Sequence, residues 1–501
     1  MTVPFNNIPS NIRLPLFYAE MDNSQAGYFA QNYKTLLIGQ KLTAGVGISN
    51  KPVVVGSESD AINLCGRGSM LARMYTMARA NDPLGEIWIL PLDEPGAGVA
   101  ATGTIAISGT ATSAGVLSIY IAGQRVQAAV ASGDTATVVA TALAAAINAA
   151  ADLPVTASSS TGTVTVTARW KGETGNDIMI QLNYRGLLGG ERTPPGVTAT
   201  ITAMASGASA PTLSSAIAAL GDLEFDFIAF PFTDTTSLDA LKTEMSDTTG
   251  RWSYLRQIYG HVYSAKRGTL SALTTFSSAR NDQHASVAGI EASVPTPSWE
   301  VSAAFTARSA VFQRIDPARP TQTGELTGVL APIDGQQFIS TERQSLLNAG
   351  IATLKATSDG VVRIERAITT YQKNLWNQAD PSYLDSETLH TSAYVLRFLR
   401  QRVTQKYARH KLANDGTRFG EGAAIVTPAI VKGELISAYR ELEFLGIVEN
   451  ADAFKSGLIV ERPITDPNRL DVLMGPDYVN QLRVFAVLNQ FRLQYPAALA
   501  A

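Results

Sequence analysis

Residues 479–493 carry apolar side chains on both alternating faces: Leu482, Val484, Ala486 and Leu488 on one, Phe485, Val487, Phe491 and Leu493 on the other. Read as a strand, such a run has to be covered on both sides. A helix starting after Pro476-Asp477 has the same apolar content, and periodicity alone leaves both forms open. A strand there needs a partner sheet, which another copy of the chain can provide, because adding a strand to an open edge joins subunits without any catalytic chemistry. The expected strand-exchange contacts are Leu482, Val484, Phe485, Val487, Leu488, Phe491 and Leu493.

The other end has a similar character. Prolines at Pro4, Pro9 and Pro15 exclude a helix and favour an extended arm, along which Ile12, Leu14, Leu16 and Tyr18 alternate like a strand with one face to bury. These four residues are the expected contacts of an N-terminal arm with neighbouring subunits. Donating and accepting surfaces then differ, so repetition yields rings or open helices rather than closed dimers.

Between the arms the chain alternates strands and helices. A buried-type strand at 34–39, a helix at 60–80 and a strand at 86–90 begin an α/β layer, which resumes with a helix at 213–220, a strand at 225–230, a helix at 237–246, a strand at 257–264 and a helix at 298–312. Residues 96–210 interrupt it with an Ala/Thr/Gly/Ser-rich segment of Thr/Val-rich strands, a turn at Thr161-Gly162, and a helix capped by Asp134 that carries Val139, Leu143 and Ile147. Further on come a helix at 341–349, strands at 351–356 and 361–367, a basic helix at 386–411 and a more acidic one at 427–445 ended by Gly446. The fold class is α+β multidomain: a central α/β layered domain (31–95 and 211–335) interrupted by a small α+β, β-sandwich-like insertion (96–210). An N-terminal arm (1–30), a C-terminal α+β domain (336–476) and a C-terminal strand arm (477–501) complete it.

Chemistry is hard to find in this pattern. No GxxxxGK[ST] run is present, and Gly39, Gly45 and Gly47 lack the spacing that cradles phosphates. Gly66-Arg67-Gly68-Ser69 is half of a nucleophile elbow, with the frame incomplete. His261, His284, His390 and His410 are scattered and Cys65 is the single cysteine, so no metal site, cofactor or internal disulfide is expected. The net charge of -3 gives no general nucleic-acid field, and no apolar run approaches the roughly 20 residues that span a bilayer. Neither nucleic acid nor membrane insertion is therefore expected. Arg397, Arg400, Arg402, Lys406, Arg409 and Lys411 on the basic helix suit docking onto an acidic protein surface.

Residues 363–374, 414–428, 461–473 and 479–495, together with the opening 5–26, resemble the contractile tail sheath proteins of Mu-like phages. The resemblance implies a non-enzymatic subunit of the virion, made in the host cytoplasm, that forms six-membered rings stacked around a tail tube and contracts to drive the tube through the host envelope. It implies self-association, with the tail tube, baseplate and tail terminator proteins as partners. It also implies that the inner C-terminal domain meets the tube through its charged helices, which brings in the six basic residues above. A sheath from an injection particle or secretion system fits the same residues. A cytosolic α/β hydrolase using Ser69 or a loop carboxylate is the alternative of another class.

Overall fold

The computed structural model describes residues 8, 9, 11, 13–15, 17–20, 32–420 and 422–493. Strand β1 (Lys34–Gln40) is buried along almost its whole length and forms the middle of the central body. After β2 (Val53–Val55), the expected helix over 60–80 is two helices, α1 (Glu58–Cys65) and α2 (Met70–Asn81). Gly66 (φ 86) and Gly68 (φ 75) break it in left-handed conformations, and a Cβ on Gly68 would lie 2.6 Å from the Leu153 carbonyl oxygen. Ser69 then caps α2, its hydroxyl accepting from the Ala72 amide at 3.1 Å, which accounts for the Gly-Arg-Gly-Ser run without a nucleophile. Strand β3 (Glu86–Leu92) pairs in parallel with β1.

The insertion follows, with strands β4 (Ala100–Gly109), β5 (Gly115–Ile121) and β6 (Gln124–Val130), helix α3 (Ala136–Ala149), and strands β7 (Val155–Ser160), β8 (Thr163–Lys171), β9 (Ile180–Leu182) and β10 (Val197–Ala205). They make two antiparallel sheets, in the orders β10-β4-β8-β7 and β6-β5-β9. Thr161 (φ 43) and Gly162 (φ 85) both take positive φ, as a tight hairpin turn demands. Asp134 does not cap α3: its carboxylate accepts from the Ala131 amide at 2.7 Å, and Thr135 occupies the cap without a side-chain bond. Val139, Leu143 and Ile147 are fully buried, as a helical stripe requires. Nor is the insertion loosely tethered. Trp170 packs edge-on against Trp299 at 5.6 Å between ring centres, and Arg73 of α2 ion-pairs with Glu300 while donating to the Ala122 carbonyl and to Gln124.

The chain returns through α4 (Ser214–Leu220), β11 (Phe227–Ala229), α5 (Thr235–Met245), β12 (His261–Arg267), α6 (Leu270–Ser278), β13 (Ala285–Ile290), α7 (Ser298–Ile315), α8 (Ser340–Asn348), β14 (Ala352–Ala356) and β15 (Val362–Arg366). The eight-stranded sheet runs β15-β14-β13-β12-β11-β1-β3-β2, parallel inside and antiparallel at both edges. Strand β12 starts later than the alternation predicts, because Gln257 (φ 51) and Tyr259 (φ 52) are left-handed and cannot enter a ladder. Strands β14 and β15 extend this sheet, so a boundary at 335 cuts through it; the central body continues through β15.

Helix α9 (Ser386–Tyr407) leads into β16 (Lys411–Leu412), β17 (Ile425–Val426), α10 (Pro428–Phe444), β18 (Val448–Glu449), α11 (Ala451–Gly457), β19 (Ile459–Glu461), β20 (Asp471–Leu473) and β21 (Asp477–Tyr478). Thr427 and Pro428 start α10 as cap and first helical residue, and Gly446 (φ 75) follows its end. This region has its own core of Val395, Phe398, Leu435, Tyr439, Leu442 and Phe454, with Tyr439 and Phe454 stacked at 3.8 Å.

Candidate assembly surfaces

The C-terminal arm does not form the doubly buried strand that its alternation predicts. β21 pairs with β18, and from Val479 onward the described chain makes no ladder. Leu482, Val484, Phe485, Val487, Leu488, Phe491 and Leu493 are between 70% and 96% exposed. The physical reason is direct: among the described residues no strand pairs with the chain beyond Tyr478, so these apolar side chains have no sheet to cover them. Arg483, which apolar patterning does not single out, behaves differently and is nearly buried.

At the other end, Leu14 is exposed and Tyr18 partly so, the Tyr18 hydroxyl donating to the Leu14 carbonyl at 3.2 Å. The described residues there form no strand. Ile12 and Leu16 lie outside the described residues.

The expected basic helix over 386–411 ends at Tyr407, leaving Arg409 and Lys411 beyond it, and the six basic residues divide sharply. Arg397 is only 5% exposed: its guanidinium pairs with Asp226 and Glu224 and donates to the Ile258 carbonyl at 3.0 Å. It is a link between α9 and the central body rather than a side chain free to meet a tube, because a helix lying against the sheet must turn its inner face inward. Arg402 pairs with Glu434 and Glu441 of α10, and Lys406 with Glu434 at 2.6 Å, so part of the acidic surface that suits this helix is its own neighbour. Arg400 is half-exposed near Glu224. Arg409 and Lys411 are exposed and make no ion pair among the described residues.

Two polar features of the interior resolve the search for chemistry. His261 and His390, far apart in sequence, meet with ring centres 5.7 Å apart; His261 Nε2 contacts Ser286 Oγ at 2.9 Å and His390 Nε2 contacts Tyr263 Oη at 3.0 Å. Burial, and next the Arg397 guanidinium, holds His390 down to about 3, and burial lowers His261 as well, so both rings are neutral packing groups. Burial pushes the Cys65 thiol up to about 12, far from a thiolate. Among the described residues no group of three His, Cys, Asp or Glu is placed to hold a metal ion, and no helix is long and apolar enough to cross a membrane.

A crevice of about 530 Å³ does open beyond the ends of β1, β11 and β12, where strand order reverses around β1 and α/β folds usually bind ligands. Here the first amide of α7, Ser298, donates to Asp177 from the insertion, and Arg267 Nε donates to the same carboxylate at 2.6 Å. The chain's own aspartate thus occupies the helix N-terminus that would face a ligand anion.

The chain matches the phage tail sheath protein beta-sandwich domain over residues 96–217, the phage tail sheath protein central domain over residues 206–370 and the phage tail sheath C-terminal domain over residues 378–492. It is 43% identical over 495 residues to the Mu-like prophage FluMu tail sheath protein of Haemophilus influenzae, covering 98% of this chain and 100% of that protein. The solved sheath tail protein of Desulfitobacterium hafniense is 10% identical, covering 93% of this chain and 100% of that one, with a TM-score of 0.47. A sheath tail protein of Listeria innocua is 11% identical, covering 92% and 94%, also with a TM-score of 0.47. The chain belongs to the phage tail sheath family, whose members are structural rather than enzymatic.

Proposed function

We propose that copies of this protein polymerise into six-membered rings stacked around a tail tube, and that the array contracts to drive the tube through the host cell envelope. The observation that carries the reading is the arm: seven large apolar side chains on an extended segment without a ladder partner. Each gains about 1.5–3 kcal/mol when covered, and an open sheet edge on a neighbouring copy supplies both that cover and the missing backbone bonds. Residues 484–493 are the exchanged strand, with Leu14 and Tyr18 marking a second contact at the other end. Extended and contracted forms are two packings of the same folded bodies, and a difference of a few kcal/mol per subunit summed along the array supplies the work without a nucleotide.

Assembly takes place in the host cytoplasm, and the finished sheath is part of the virion, with tail tube, baseplate and tail terminator proteins as partners. Arg400 on α9, with Arg409 and Lys411 just past its end, are the residues of this basic set left to meet the tube. Negative-stain electron microscopy of the purified chain tests the reading: hollow cylinders with a helical repeat support it. Cylinders formed equally well after deletion of residues 484–501 would sink the strand exchange.

A further inference from the structure

Arg483 lies between two exposed arm residues, yet its side chain is 10% exposed. Its Nη2 stands 3.0 Å from Glu387 Oε1 and 3.3 Å from Asp385 Oδ1, both in the opening of α9. Glu387 is fully buried and otherwise accepts from Thr321, at 2.9 Å from the amide and 2.8 Å from the hydroxyl, and from the Ser386 hydroxyl at 3.4 Å. Asp385 is also gripped by Arg366 of β15, at 2.8 and 2.9 Å. Around Arg483 the backbone is fixed to the central body by the side chains of Gln481, which donates to the Ala318 carbonyl at 3.2 Å, and Gln322, which donates to the Leu482 carbonyl at 3.5 Å.

On its other side the same short segment is fixed to the C-terminal core. β21 pairs with β18, the Asp477 amide donates to Tyr439 Oη at 3.0 Å, and the Val479 amide donates to the Ile447 carbonyl at 3.2 Å. Residues 477–483 therefore cross from one body of the chain to the other.

We infer that residues 477–483 form an intramolecular strap, not exchanged strand, and that Arg483 is the positioning residue that makes the free arm begin at Val484. Withdrawing the guanidinium leaves Glu387 as a buried carboxylate facing only the neutral donors of Thr321 and Ser386, which opposes peeling of the strap. Tension on the exchanged strand is then delivered to the start of α9 and the edge of the central sheet rather than to the two residues of β21. The inference rests on the strand-exchange reading for residues beyond 483.

The test uses the full chain, Arg483→Met, and Arg483→Met combined with Glu387→Gln, each followed by thermal unfolding of dispersed subunits and by the concentration at which cylinders appear. The single variant is expected to lower the midpoint by roughly 5 °C or more, through the stranded charge. In the double variant the midpoint returns to within about 2 °C of the parent, while the assembly concentration stays raised about fivefold or more, because the arm root is no longer held. A single variant with an unchanged midpoint overturns the strap, and so does a double variant that assembles at the parent's concentration. Deleting residues 484–501 separates the two ideas. Cylinders surviving that deletion refute strand exchange, whereas a midpoint falling as far as in Arg483→Met refutes the boundary at Val484.

Discussion

Arg397 on α9 and Asp226 at the head of β11 are a buried ion pair, 171 residues apart in sequence, joining the C-terminal region to the central sheet. Neither side chain is more than 6% exposed. Both charges have left water, so removing one partner is expected to cost about 3–5 kcal/mol, while an apolar replacement of both is far milder. Arg397→Met should lower the denaturant midpoint clearly, and Arg397→Met with Asp226→Leu should recover most of the loss. Equal losses in the two variants would show that packing, not charge, holds this junction.

Acid should loosen the same junction. His390 and His261 have folded pKa values below the ordinary 6.5, so the unfolded chain binds more protons below that pH and stability falls as pH drops. The contribution is intact above 6.5 and declines toward the folded value, about 3 for His390. By pH 5 the loss is about 2 kcal/mol for that one ring. Urea unfolding at pH 7.5 and pH 5 measures it, and His390→Phe should flatten the slope between them.

The two exposed cations past the pairs with α10 should matter for docking and not for folding. Arg409→Ala with Lys411→Ala is expected to change stability by less than about 0.5 kcal/mol, as surface substitutions generally do. Co-sedimentation with preformed tail tubes should weaken, and the parent's binding should weaken as salt rises. Tube binding that is unchanged in the double variant would move the tube contact elsewhere.

Gly68→Ala should destabilise the body by more than about 1 kcal/mol. The residue has φ 75, and the added methyl would press on the Leu153 carbonyl, which belongs to the insertion. Comparison of thermal midpoints with Gly56→Ala, where nothing lies within 4 Å, checks that the cost comes from this close approach.

Much of the central layer was legible because its strands are continuous apolar runs: residues 34–40 and 86–92 could hardly be anything else. Strand β13 was not, since Ala285, Ser286, Ala288 and Gly289 have little strand preference. Its small side chains answer to crowding, as a Cβ on Gly289 would lie 2.8 Å from Ile351. The arm's apolar residues could be named from alternation, but their exposure could not, because pattern records what wants cover and not where the cover is. Arg397 misled for the opposite reason: charge on a helix reads as solvated until a buried partner from another part of the chain is seen.

The insertion's contact with the central body, made by Trp170 on Trp299 and by Arg73 on the Ala122 carbonyl and Gln124, has a practical consequence for following the subunit's motion. With no slack at that joint, a fluorophore or electron-dense tag on the insertion turns through the same angle as the sheet beneath it. Such a tag is a pointer on the subunit, and if the array contracts as proposed its rotation would report the turn of the whole body.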